Sequence, residues 1–243
     1  MKAMILAAGY GTRLQPLTNS KPKALIDIKG VPLLELVIQK LKKEGISDII
    51  INVHHFAHQV VNFLKENKNF GINIQISDES EQLLDTGGGI LKAKWFFENG
   101  PAFLVYNVDI LSAINLGEFM KYHSDNKPLA TLAVQERTTT RQLLFDQENR
   151  LCEWRNVQTG ERKISREGVG ELKPLAFSGI HILDNKIFEL MDENGAFSIM
   201  QTYLRLAKEH DIIGFNHSST SWFEFGRFEH VKEFNEREEL GFL

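Results

Sequence analysis

A series of short apolar runs constrains the fold most. Lys2 to Ala7, Asp48 to Val53, Ile72 to Ile76, Ala102 to Tyr106 and Leu129 to Val134 are each of strand length. The run DIIINV is almost continuously apolar, as in a parallel strand covered on both faces. Helical patterns lie between them. Leu33, Leu34, Val37, Ile38 and Leu41 recur at helical spacing through Lys43, with Pro32 suited to the first turn and Gly45 to the stop. Val60, Val61 and Leu64 mark one face of a helix over 56–68, and Leu116 to Tyr122 reads as another. This alternation over residues 1–134 predicts an α/β fold: a Rossmann-like, mostly parallel mixed sheet with helices on both faces.

The pattern then changes. Gln142 to Phe145 and Leu151 to Trp154 predict a hairpin. Val157 to Pro174 is polar and carries Gly160, Gly168 and Gly170, which predicts a mobile loop or an excursion over a site. Ala176 to Leu183, Asp211 to Phe215 and Ser221 to Phe225 read as strands; Ile187 to Met191, Ile199 to Lys208 and Phe228 to Arg237 read as helices. No repeat or biased linker divides the chain, so one domain over 1–243 is expected.

Composition narrows the partners. A net charge of -4 offers no basic field for nucleic acid. No apolar run is long enough to span a bilayer and the N-terminus lacks a signal-peptide pattern, so no membrane partner is expected. Cys152 is the only cysteine, which excludes an internal disulfide and a four-cysteine metal site and fits a cytoplasmic location. The 17 phenylalanines are assigned mostly to packing. Nothing in the sequence fixes the oligomeric state.

Strand one runs into AAGYGTR. Gly9 and Gly11 punctuate it, the small Ala7 and Ala8 allow close backbone approach, and Arg13 and Lys23 bring positive charge. Pro16 and Pro22 stiffen the path between them. Leu14 stands where a dinucleotide fingerprint needs its third glycine, and no G-K-[ST] follows. Two readings stay open: an anion nest for polyphosphate, or a tight turn with surface cations.

Other residues carry paired readings too. Asp109 ends a buried strand, where it either holds Mg2+ or caps the turn at 110–113. Asn107 reads as a turn former. In DTGGGI, three glycines precede a helix and permit close backbone contact with a base or a sugar; Thr86 touches a nucleotide or caps that helix. Ser178 and Gly179 interrupt a strand, through a bulge or the close approach of a ligand. Glu224, in WFEFG, is a metal ligand or an edge charge, and Trp222 and Phe223 are assigned to the core. His54, His55 and His58 read as surface or capping residues, since no acidic partner stands at ligand spacing.

With these residues located, the chain resembles the sugar-phosphate nucleotidyltransferases, or nucleoside-diphosphate-sugar pyrophosphorylases. The likeness covers nearly all of the chain. MILAAGYGTRLQPLTNSKPKAL is similar to the family's LAxGxGTRLxPLTxxxPKxL, YNVD to its N-G-D, FSGI to its S-G-I and WFEFG to its W-x-D-x-G. The resemblance implies a GT-A-like fold, with residues 1–134 as nucleotide-binding core and 135–243 as the sugar-binding, metal-completing part. It implies attack of a sugar 1-phosphate on the α-phosphorus of a nucleoside triphosphate, with Mg2+ as cofactor. By position, Leu6, Ala8, Gly9, Gly11 and Thr12 would line the nucleotide, with Thr86, Gly87 and Asn107 at base and ribose. Arg13 would hold the β- and γ-phosphates, and Lys23 the α-phosphate and the sugar phosphate. Ser178 and Gly179 would lie along the sugar, and Asp109 and Glu224 would carry the ion.

Two positions depart from the family's pattern: Glu224 stands where Asp is usual, and Val108 where Gly is usual. The TGGGI segment, the short chain and the missing hexapeptide-repeat tail are most similar to N-acetylmuramate 1-phosphate uridylyltransferases of peptidoglycan recycling. That likeness implies UTP and N-acetylmuramate 1-phosphate. Mannose- or heptose-1-phosphate guanylyltransferases, a phosphocholine cytidylyltransferase-like enzyme and an inactive nucleotide-binding regulator are the alternatives. Asp78 to Gln82, where base-reading side chains would fall, leaves uracil and guanine both open.

Overall fold

The computed structural model describes residues 1–98 and 100–236. β1 (Lys2–Leu6) is followed by single 3-10 turns at Thr12–Leu14, Leu17–Asn19 and Lys23–Leu25. These lead into a small hairpin, β2 (Asp27–Ile28) and β3 (Val31–Pro32). Pro32 is therefore the extended residue ahead of α1 (Leu33–Lys43), not part of its first turn. β4 (Asp48–Val53) matches the sequence reading, and α2 (Ala57–Glu66) starts after Phe56, whose backbone is left-handed. β5 (Asn73–Asp78) precedes α3 (Asp85–Lys92) and α4 (Lys94–Phe97). β6 (Ala102–Asn107), β7 (Ile110–Ser112), α5 (Leu116–Asn126) and β8 (Ala130–Gln135) complete the first part.

The three glycines of DTGGGI lie inside α3, not before a helix. Glycine disfavours a helix interior by about 1 kcal/mol relative to alanine. Packing overrides this: a Cβ on Gly87 would fall 2.2 Å from the Phe197 ring, and one on Gly88 would fall 2.3 Å from the Gly195 carbonyl. The close approach these glycines allow is to the protein's own chain.

The predicted hairpin is present as β9 (Arg141–Phe145) and β10 (Leu151–Asn156). Residues 157–174 are not a simple excursion, because they contain β11 (Arg162–Ile164), which pairs antiparallel with β10. The reason is electrostatic: Arg162 forks onto the buried Glu153 with two contacts of 2.6 Å. β12 (Lys173–Asp184), α6 (Ile187–Leu190), α7 (Ile199–Leu206), β13 (Ile212–Asn216), β14 (Trp222–Glu224) and α8 (Phe228–Glu236) follow. Arg237, expected as the end of α8, lies outside the described residues.

Among the described residues ten strands form the main sheet. β5, β4, β1 and β6 run parallel, and the long β12 then pairs antiparallel with both β6 and β8. Strands of both halves of the sequence thus share the sheet. Helices cover both faces, and the strands alternate accordingly. Ala3, Ile5, Ile49, Ile51, Leu104 and Tyr106 pack with α1, α2, α5 and α8. Met4, Ile50, Phe103 and Val105 pack with α3, α4, α6 and α7. Among the described residues no helix is long and apolar enough to cross a membrane.

Candidate active site

Parallel strands place their carboxyl ends on one edge, where open α/β sheets bind ligands. β1, β4 and β6 end together: Leu6 is in register with Asn52 on one side and Asn107 on the other. The Leu6 carbonyl also accepts from the Val108 N–H at 3.1 Å. The glycine loop and the Asn107–Asp109 segment are therefore neighbours.

The loop is held from below. The Ala7 N–H donates to Asn52 Oδ1 at 2.7 Å, and Asn52 Nδ2 donates to Glu79 Oε1 at 2.8 Å. Glu79 is fully buried, and its second oxygen accepts from the Leu84 N–H at 3.0 Å. Burying a carboxylate without partners is costly, so this chain of bonds fixes the loop's first residues relative to the entry of α3. Gly11 has φ +65°, and a Cβ there would fall 2.9 Å from Thr18 and 3.2 Å from Lys23. It permits the fold that brings Lys23 back under the loop. Ala8 is buried, whereas Gly9, Thr12 and Arg13 face outward.

His54 is more than a surface or capping residue. Its Nδ1 meets the Glu79 carbonyl at 2.6 Å, and its Nε2 meets the Tyr10 hydroxyl at 2.9 Å. The ring thereby ties Tyr10 of the loop to the end of β5. Beyond it lies a second cleft, of about 470 Å3, bordered by His54, Phe56, Asp78 and Ser80. The polar Asn52 inside DIIINV was the one sequence signal for this support; Glu79, Tyr10 and His54 gave none.

Asp109 does not cap the following turn. Its carboxylate accepts from Lys23 Nζ, and both side chains are largely buried. β7 and β14 then bring the backbone at Glu224 alongside this segment. Glu224 pairs with Ile110, and the Phe225 N–H donates to the Asp109 carbonyl at 2.8 Å. Arg13 also reaches this point: a Cβ on Gly226 would fall 3.1 Å from Glu224 Oε1 and 3.4 Å from Arg13 Nη2. Among the described residues no cluster of three or more His, Cys, Asp or Glu side chains is suited to an ion. Two carboxylates suit Mg2+, which takes its remaining ligands from waters and phosphates.

β12 bulges at Ser178 and Gly179, where its register with β8 shifts. Gly179 has φ +75°, and a Cβ there would fall 2.9 Å from Asn107 Nδ2. The bulge sets Asn107 against β12. Ser178 is fully buried, and its hydroxyl is 2.8 Å from His217 Nε2, so its side chain is turned to the interior. Thr86 and Gly87 are engaged likewise: Thr86 Oγ1 accepts from the Ile199 N–H at 3.0 Å, and the Gly87 N–H donates to the Phe197 carbonyl at 2.8 Å. Both hold the entry of α7.

Trp222, assigned to the core from sequence, is half-buried and is also a platform. Arg137 lies over its ring with the guanidinium carbon 3.8 Å from the centroid. Burial lowers the Arg137 pKa, and the negative charge of Glu224 opposes that shift. A cleft of about 440 Å3 is lined by Arg13, Arg137, Trp222, Glu224, Arg227 and Glu233.

An edge that gathers cations and carboxylates beside a glycine turn suits the transfer of phosphorylated groups with a divalent ion, which places the protein among phosphate-handling α/β transferases. The chain belongs to the nucleotidyl transferase family, whose profile matches residues 2–143. Its class of enzyme joins a nucleoside triphosphate to a sugar 1-phosphate, giving a nucleoside diphosphate sugar and pyrophosphate. A relative from Caulobacter vibrioides, an N-acetylmuramate alpha-1-phosphate uridylyltransferase, is 32% identical over 222 residues, covering 87% of this chain and 86% of its own. A protein of the same name from Neisseria meningitidis is 42% identical over 115 residues, covering 47% and 49%. In fold, the chain resembles HddC from Yersinia pseudotuberculosis, with a TM-score of 0.77, 22% identity, and 98% and 99% of the two chains covered.

Proposed function

We propose that the protein joins UTP to N-acetylmuramate 1-phosphate, releasing pyrophosphate. The observation that carries this reading is the span of the Caulobacter likeness, which takes in 87% of this chain and 86% of the relative's own. The position of residues 1–134 suits the nucleotide and that of 135–243 the sugar and the ion. A role in peptidoglycan recycling, in the cytoplasm, goes with this substrate.

The sugar phosphate is already anionic, so its attack on the α-phosphorus needs no general base; positioning and charge neutralisation supply the catalysis. Leu6, Ala8, Gly9, Gly11 and Thr12 offer backbone to the nucleotide. Arg13, exposed beside Glu224, is free to meet the β- and γ-phosphates. Lys23 changes partner, leaving Asp109 for the α-phosphate and the sugar phosphate. Asn107 and the Gly179 bulge border the ribose and sugar. Thr86 and Gly87 act through the entry of α3 and α7 that they fix, with Ser178 supporting from behind. The Lys23 ammonium on Asp109 is a stand-in cation, and with Glu224 one strand away these residues fit Mg2+. A bound Mg2+ supplies charge neutralisation to phosphate oxygens. Asp78 and Ser80, at the rim of the second cleft, stand where a base is within reach.

Pyrophosphate release from UTP, GTP, CTP and dTTP, each with N-acetylmuramate, mannose and glucose 1-phosphates and phosphocholine, tests the reading. UTP with N-acetylmuramate 1-phosphate should give the highest kcat/KM. Triphosphate binding without turnover of any pair would instead indicate a regulatory protein.

A further inference from the structure

Arg137 is held more firmly than a surface arginine and is used less fully. Its guanidinium stacks on Trp222, and Nη2 donates to the Phe177 carbonyl at 2.8 Å. Trp222 is itself fixed, since its Nε1–H donates to the Ser178 carbonyl at 2.9 Å. Among the described residues Arg137 Nε is buried without a hydrogen-bond partner. A desolvated guanidinium with an unpaired donor is costly, which makes it an uncommon feature unless an acceptor arrives.

Its surroundings say which acceptor. Arg13, Arg137 and Arg227 line the cleft, against Glu224 and Glu233. Arg13 sits at the loop, on the phosphate side. Arg137 is anchored to Phe177 and stacked on a ring tied to Ser178, beside the bulge on the sugar side. Glu224 shares this cleft and its charge acts on Arg137, so a divalent ion held by Glu224 would weaken that compensation. A neutral sugar leaves this cation uncompensated; a carboxylate pairs with it in the planar geometry that guanidinium favours.

We propose that Arg137, stacked on Trp222, pairs with a carboxylate on the incoming sugar 1-phosphate and so selects acidic over neutral sugars. This rests on the reading of the site as a sugar-1-phosphate nucleotidyltransferase. It adds a specificity residue that lies outside the loop and the metal carboxylates.

The test compares N-acetylmuramate 1-phosphate with N-acetylglucosamine 1-phosphate, which has the same ring without the lactyl carboxylate. In Arg137→Met the ratio of kcat/KM for the acidic over the neutral sugar should fall about 10- to 100-fold, the scale of a hydrogen bond to a charged group. Arg137→Lys, which keeps the charge and spares the Trp222 strand, should fall between Met and wild type. Calorimetric binding of UDP-N-acetylmuramate and UDP-N-acetylglucosamine should show the same divergence without turnover. Equal losses for both sugars in the two variants would overturn the proposal and leave Arg137 as a prop for Trp222. A wild-type preference for neutral sugar phosphates would overturn it as well. A wild-type preference for GTP or CTP would overturn only the choice of nucleotide, because the sugar ratio is then read with that triphosphate.

Discussion

Lys23 donates to the carboxylate of Asp109 across 86 positions of sequence, and both side chains are only 14% exposed. The residue proposed for phosphate and the residue proposed for the ion are thus each other's counter-charge. Either ligand has to separate them, and phosphate that draws Lys23 away frees Asp109 for a cation. The proposed roles of the pair therefore predict coupled binding of nucleotide and ion.

Asp109→Asn keeps the shape and one acceptor but removes the charge. Turnover should fall by about 100-fold or more, the scale of losing a key electrostatic group, while circular dichroism stays native. Lys23→Met should raise Mn2+ affinity in the absence of nucleotide, read by electron paramagnetic resonance. Unchanged affinity would mean that Lys23 does not compete with the ion.

Arg13 is exposed on its 3-10 turn, so its side chain supports no core. Arg13→Ala should shift the melting temperature little, and its proposed role at the leaving pyrophosphate predicts a kcat lowered by about 100-fold. Steady-state kinetics beside a thermal melt checks both halves.

Asn52→Ala strips a partner from the Ala7 N–H and from the buried Glu79. Two unsatisfied buried groups should cost about 2–4 kcal/mol of stability in urea denaturation. Nucleotide affinity should fall with it, because the loop loses its anchor.

Burial, then repulsion from Arg137, pushes the His217 pKa down to about 4, and burial pushes His181 down to about 3. In the unfolded chain both titrate near about 6.5, so below that pH the unfolded state binds more protons. Stability from these groups is therefore complete above pH of about 6.5 and declines as pH falls toward 4. Urea midpoints should hold steady between pH values of about 8 and 7 and drop at about 5, with a shallower drop in His217→Gln.

β1, β4 and β6 of the parallel core were legible because each is buried on both faces, and DIIINV carries that burial in its composition. β11 was not: its residues Arg162 to Ile164 are all exposed, and its pairing depends on a buried Glu153. Nor could the sequence place the glycines of α3, because the reason for them is Phe197 and Gly195, far along the chain. Asp109 was readable as a strand end, yet only the β7–β14 ladder brings Glu224 beside it. Arg137 stood in no motif. Its stacking on Trp222 arises from two distant segments meeting at the β12 bulge, and no local period encodes that contact.

The nucleotide sugar released identifies both substrates at once. Incubating the protein and Mg2+ with UTP, GTP, CTP and dTTP together, alongside N-acetylmuramate, mannose and glucose 1-phosphates, lets the site choose. Mass spectrometry should then find UDP-N-acetylmuramate as the dominant nucleotide sugar. A dominant GDP-, CDP- or dTDP-linked product, or a UDP-linked neutral sugar, would contradict it.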